Sequence, residues 1–168
     1  MITPAQFMDA VDHETRVILH LATKVPPGAY DWRPTPGQRS MLELMRYLTA
    51  SAEVPCRAMI EGNWDAAEAL EAAAEAVTPA TFAAAMAKQR DGIARALAPL
   101  TGRDYLERDA KLPWGTPVKL GEALVRTVLY TLVAYRMQFF LYVKQSGVPD
   151  IGPAECGVGV SPPKKAAP

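Results

Sequence analysis

The sequence predicts an all-α protein, an antiparallel four-helix bundle with a long connection between its first two helices. Apolar residues recur at helical spacing in four long stretches. Capping or helix-stopping residues bound those stretches, and every strong element along the chain is helical.

The first helix opens at Thr3-Pro4-Gln6: a capping hydroxyl, a proline in the first turn, and a glutamine three residues after the cap. Phe7, Val11, Ile18, Leu21 and Val25 form its apolar stripe, and Pro26-Pro27-Gly28 stops it. A loop of about a dozen residues follows. Ser40 and Glu43 then make a capping box for a helix expected to run to about Ile60. Pro55 should kink it near residues 52–54. Residues 65–77, rich in Ala and Glu, suit a short extra helix. Thr78-Pro79 starts the third long helix, which carries Phe82, Met86, Ile93, Leu97 and Leu100. A connection through Leu112-Pro113-Trp114-Gly115 leads to the last helix, roughly Leu120 to Gln145, closed by Gly147 and Pro149. Each buried Leu, Ile or Phe contributes about 1.5–3 kcal/mol, so four stripes can offset the ordering of a chain this size. Residues 1–150 are therefore expected to form one domain. Residues 151–168 lack a periodic apolar face and are expected to be a disordered tail.

Composition narrows the function classes. Eighteen basic residues balance eighteen acidic ones among 168, and no basic block develops, so no nucleic-acid footprint is expected. The N-terminus places acidic residues where a signal peptide needs a basic stretch. Residues 124–143 are the most apolar, but Arg126 and Arg136 interrupt them, which fits a buried helix rather than a membrane span. Cys56 and Cys156 give neither a disulfide framework nor CxxC spacing, so a cytoplasmic location is the default expectation.

Two segments go further than periodicity. YDWRPTPGQRSMLELMRYL (30–48) and PWGTPVKLGEALVRTVLYTLVAYRMQFFLYVKQSG (113–147) together resemble the DinB-like family of bacterial four-helix-bundle proteins. The family's last helix usually reads HxxxHRGQ followed by a tyrosine-leucine pair and a glycine. The resemblance implies a metal site of three histidines, one from the second helix and two from the last. Carried over residue by residue, those ligands fall at Tyr47, Thr131 and Tyr135. The i,i+4 spacing is kept while imidazole is gone, and neither phenol nor aliphatic hydroxyl competes with it for zinc or nickel. No metal and no cofactor is therefore expected. His13 and His20 lie about 10 Å apart along one face of the first helix, too far to hold one ion by themselves. They read as surface or satisfied side chains.

Glu14 occupies the third position of the first helix's apolar stripe, and a buried carboxylate there needs a donor or must stay partly protonated. Tyr47, Thr131, Tyr135 and Gln138 are the candidate donors. With Glu14 they make either a small-molecule pocket or a self-satisfied core network. Counting 100° per residue, Leu124, Val128, Thr131, Tyr135, Gln138 and Tyr142 face the bundle. Leu129, Val133 and Phe140 point away and need a cover. Either the loops bearing Trp32, Tyr105 and Trp114 supply it or a second copy does, and the resemblance implies homodimers. Arg46, Ala50, Glu53 and Arg57 read as a solvated row with a Glu53–Arg57 pair. Cys56 reads as a buried structural thiol.

The expected function is a metal-free small-molecule-binding or dimerisation module, with no nucleic-acid or membrane partner. The resemblance also admits a thiol-dependent transferase or isomerase. A third reading is a metalloprotein with atypical ligands from His20, Glu14 and Tyr47.

Overall fold

Helix α1 (Pro4–Ala22) begins at the expected reciprocal cap between Thr3 and Gln6. Phe7, Val11, Ile18, Leu21 and Val25 are all buried. The computed structural model describes residues 2–163, and Met1 and residues 164–168 lie outside it. The capping box of Ser40 and Glu43 starts α2 (Met41–Leu48).

The helix that follows is interrupted at 49–52 and resumes as α3 (Glu53–Glu61). Pro55 accounts for the break, because it carries no N–H and its ring would strike the Ser51 carbonyl of a continuous helix. In α3 it falls in the first turn, where no intrahelical donor is required. Buried Gln89, from a later helix, serves the backbone at the break: its Nε2 donates to the Leu48 carbonyl (2.9 Å) and its Oε1 accepts from the Ala52 amide (3.0 Å).

Next come α4 (Ala67–Glu75), α5 (Phe82–Leu97) and α6 (Gly102–Glu107). A small antiparallel hairpin, β1 (Asp109–Lys111) with β2 (Pro117–Lys119), stands where the sequence reading expects only a connection. The last long helix is built of α7 (Leu120–Leu124), a π-helical turn over Val125–Leu129, and α8 (Tyr130–Gln145). Helix α1 packs on α5 and α8, α3 packs on α5 and α7, and α2 packs on α8. One core runs between them, including Ile18, Leu44, Leu48, Met86, Ile93, Leu124, Leu132 and Phe139.

The π turn corrects the facing assigned to the last helix. It adds one residue to a turn and so rotates everything after it by roughly one residue's 100°. Leu132, Phe139 and Val143 become fully buried, while Thr131, Tyr135 and Gln138 are only partly so. The outward row moves as well. Val133 is exposed, but Leu129 and Phe140 pack against the core's edge, and the exposed large apolar residues of α8 are Tyr130, Val133, Met137 and Leu141. The loops do not cover them. Trp32, partly buried, stacks edge-on against Tyr142, and Tyr105 stacks against Phe7 in the interior.

Two further expectations are corrected. The row on α2–α3 is not a solvated face: Ala50 and Glu53 are buried, and Arg57 pairs with Glu61 at 2.9 Å instead of with Glu53. Nor is the segment after Asp150 disordered through residue 163. Pro153–Gly157 form helix α9, and Ile151 and Cys156 are buried. The segment has too few apolar residues for a periodic face, and polar groups fix it instead. His13 bonds the Gly157 carbonyl, Arg16 donates to that of Val158 and Lys144 to that of Ile151. Residues 164–168 of the expected tail lie outside the described residues. No described helix is long and apolar enough to cross a membrane.

Candidate ligand cleft

A cleft of about 730 Å³ opens between α2–α3, α4, the hairpin turn and the π turn. Tyr47 and Thr131, two of the residues singled out in the sequence, line it. Tyr135 stands behind Tyr47, their ring centroids 4.6 Å apart. Burial, and after it the neighbouring Tyr135 hydroxyl, pushes the Tyr47 phenol up to about 12. That phenol is therefore protonated at neutral pH, a donor rather than a base.

Glu14 and Gln138 are not part of this group. Glu14 is buried, but its donor is Arg136, which sequence reading left out: Arg136 Nε bonds the Glu14 carboxylate and Nη1 bonds the Cys156 carbonyl. Gln138 donates to the Tyr142 hydroxyl at 3.2 Å. The five predicted residues thus divide into a cleft group of three and two core contacts elsewhere. The atypical trio is divided too, since Tyr47 is at the cleft while Glu14 and His20 lie on α1. His20 Nε2 is buried without a hydrogen-bond partner among the described residues, and desolvation lowers the ring's pKa. No group of three His, Cys, Asp or Glu side chains suited to a metal ion occurs among the described residues. Burial pushes the Cys56 thiol up to about 12, which leaves it an inert core residue.

Most charged and polar groups lining the cleft already have partners. Arg126 pairs with Glu122 at 2.9 Å and lies over the Trp114 ring. Arg46 donates to the Val77 carbonyl at 3.0 Å and approaches Glu75 at 3.7 Å. Glu43 caps α2 and meets Arg33 at 3.5 Å. The Thr127 hydroxyl donates to the Ala123 carbonyl at 2.7 Å, inside the last helix as it enters the π turn. Two charges remain. Arg39 rests its guanidinium 4.2 Å from the Tyr47 ring centre, and Glu71, on α4, lines the same cleft. Neither has an oppositely charged partner within ion-pair distance among the described residues. Trp64 and Trp114, 48% and 62% exposed, stand at the cleft's rim. Sequence reasoning missed Arg39, Glu71 and Trp64. Arg39 reads as a loop residue before a cap and Glu71 as one acid in an Ala-rich run, and only the break in the second helix brings α4 alongside.

A helical bundle with a side cleft at the start of its second helix and the π turn of its last is the class this architecture defines. A family model of the DinB superfamily matches residues 10–130, and the chain belongs to that superfamily. The match ends just before Thr131 and Tyr135. Among solved structures, a DinB-like protein from Bacillus subtilis is similar, with 20% identity, a TM-score of 0.65, and coverage of 88% of this chain and 96% of that one. A putative DinB-family member from Exiguobacterium sibiricum is similar too, at 20% identity, a TM-score of 0.60, and coverage of 90% and 97%. At this identity the two structures speak for the fold alone. No curated protein matches the sequence.

Proposed function

We propose that the protein is a metal-independent small-molecule-binding module whose ligand occupies the cleft beside Tyr47 and Thr131. The observation that carries this reading is the cleft itself. Its volume falls in the range of small-ligand sites, and it opens on two of the three residues that stand where the family's metal ligands are implied. The donor chemistry supports the metal-free part. Two phenols, one of them held up at about 12, and a threonine hydroxyl are neutral and poor ligands for a divalent ion. The donor set does not fit a metal.

The test is a fragment screen by thermal shift on wild type and Thr131→Trp. Binders should stabilise the wild type and lose their effect in the variant, whose indole blocks the part of the cleft beside Tyr47. Fragment shifts that survive Thr131→Trp overturn this location. Elemental analysis of untagged protein should find metal well below one per chain, and one tightly held ion per chain defeats the metal-free reading.

The same proposal includes a homodimer through the outer row of α8. Tyr130, Val133, Met137 and Leu141 leave a continuous apolar stripe exposed, as a helix facing a second copy does. Met137→Lys should yield monomer in sedimentation, and an unchanged oligomer moves the interface elsewhere.

A further inference from the structure

We infer that the cleft selects small amino-acid-like zwitterions with an aromatic or bulky apolar side chain; the inference rests on the cleft being the ligand site. Arg39 and Glu71 are opposite charges lining one opening, each without an ionic partner among the described residues, while Arg46, Arg126, Glu43 and Glu75 are engaged. A ligand carrying a single charge satisfies one of them and leaves the other facing it. A ligand with adjacent carboxylate and ammonium groups satisfies both.

The guanidinium of Arg39 is well suited to the carboxylate. Its stack on Tyr47 holds it in place by one face and leaves its edge N–H groups available for a bidentate pair. Glu71 accepts from the ammonium. The indoles of Trp64 and Trp114 at the rim offer apolar faces to the remainder of the ligand. The Thr131 hydroxyl, which has no hydrogen-bond partner among the described residues, adds one neutral donor and acceptor to the same cleft.

Three matched probes read this directly by quenching of Trp64 and Trp114 fluorescence: L-phenylalanine, 3-phenylpropionate and 2-phenylethylamine. L-Phenylalanine should bind about tenfold more tightly than either singly charged analogue, the effect of one added charge-assisted bond. Arg39→Gln should weaken L-phenylalanine about tenfold and leave 2-phenylethylamine unchanged. Glu71→Gln should weaken L-phenylalanine alike and leave 3-phenylpropionate unchanged. Equal affinity for the three probes overturns the inference, as does no response to any of them. In either case the fragment screen against Thr131→Trp still judges the cleft on its own. Both substitutions are at exposed side chains, and coincident unfolding midpoints with wild type establish that a lost response is a lost contact.

Discussion

Arg136 bonds Glu14 across the seam between α1 and α8 and, with the same guanidinium, holds the Cys156 carbonyl. Both side chains are nearly buried, at 12% and 9% exposure, so each is the other's principal compensation for leaving water. Arg136→Met should therefore destabilise the fold by about 3–5 kcal/mol, because Glu14 is left buried and unpaired. The double variant Glu14→Leu/Arg136→Met should recover most of that loss in urea unfolding. In both variants the segment after Ile151 should become more sensitive to limited proteolysis, since one of its anchors, the Arg136 bond to the Cys156 carbonyl, is gone. A single variant as stable as wild type would show the pair to be without weight.

Gln89 supplies what the chain loses at Pro55. Gln89→Leu keeps the volume and removes the bonds to the Leu48 carbonyl and the Ala52 amide. The Leu48 carbonyl keeps the Ser51 hydroxyl, but the buried Ala52 and Glu53 amides lose the acceptor they share, which costs about 2–4 kcal/mol. Gln89→Glu should be less harmful than Leu at low pH, where a protonated carboxyl both donates and accepts. Chemical denaturation at two pH values checks the order.

Gly121 separates packing from propensity. A Cβ built there lies 2.9 Å from the Tyr105 backbone carbonyl and 3.2 Å from its ring. Helix propensity alone makes Gly121→Ala stabilising by up to about 1 kcal/mol. The contact with a fixed carbonyl in a buried setting should reverse the sign and cost about 1–3 kcal/mol. A raised melting temperature would contradict the close approach.

Glu53 gives a pH signature. It is 6% exposed, and burial raises its pKa above the ordinary carboxylate value, against the pull of Arg57, Arg95 and Lys88. Between the ordinary and the raised value the folded chain binds more protons than the unfolded one. This residue's contribution to stability is thus full below about 4.5 and declines as pH rises through the raised value. Glu53→Gln removes that decline. It should be close to neutral near pH 4 and stabilising by on the order of 1 kcal/mol at pH 7. The urea midpoints of the two proteins should diverge as pH rises, and parallel midpoints would refute the assignment.

Fold class was legible because it depends on local signals. The caps at Thr3 and Ser40, the stripe from Phe7 to Val25 and the closing Gly147 all act within a turn or two of where they stand in sequence. The hairpin was not, because strands of three residues, one of them starting at Pro117, are too short to display alternation. At the cleft, Tyr47 and Thr131 were accessible through the family's motif. Arg39, Glu71 and Trp64 come together only through tertiary packing, and Arg136, which settles Glu14, looked from periodicity like an interruption of an apolar run. The error in facing had one source. A uniform 100° per residue was carried across Val125–Leu129, and that segment holds no proline or glycine pair to mark a π turn.

That turn also sets the chain's tolerance to changes in length. A point substitution within Val125–Leu129 alters one side chain. Deleting one residue lets the segment relax to an ordinary α-helix, and all of α8 then swings by about a quarter revolution relative to α7. Leu132, Phe139 and Val143 would leave the interior together, and Arg136 would turn away from Glu14. For this helix the spacing between its two halves is the more strictly fixed quantity, and single-residue deletions there should be far less tolerated than exchanges of residue type.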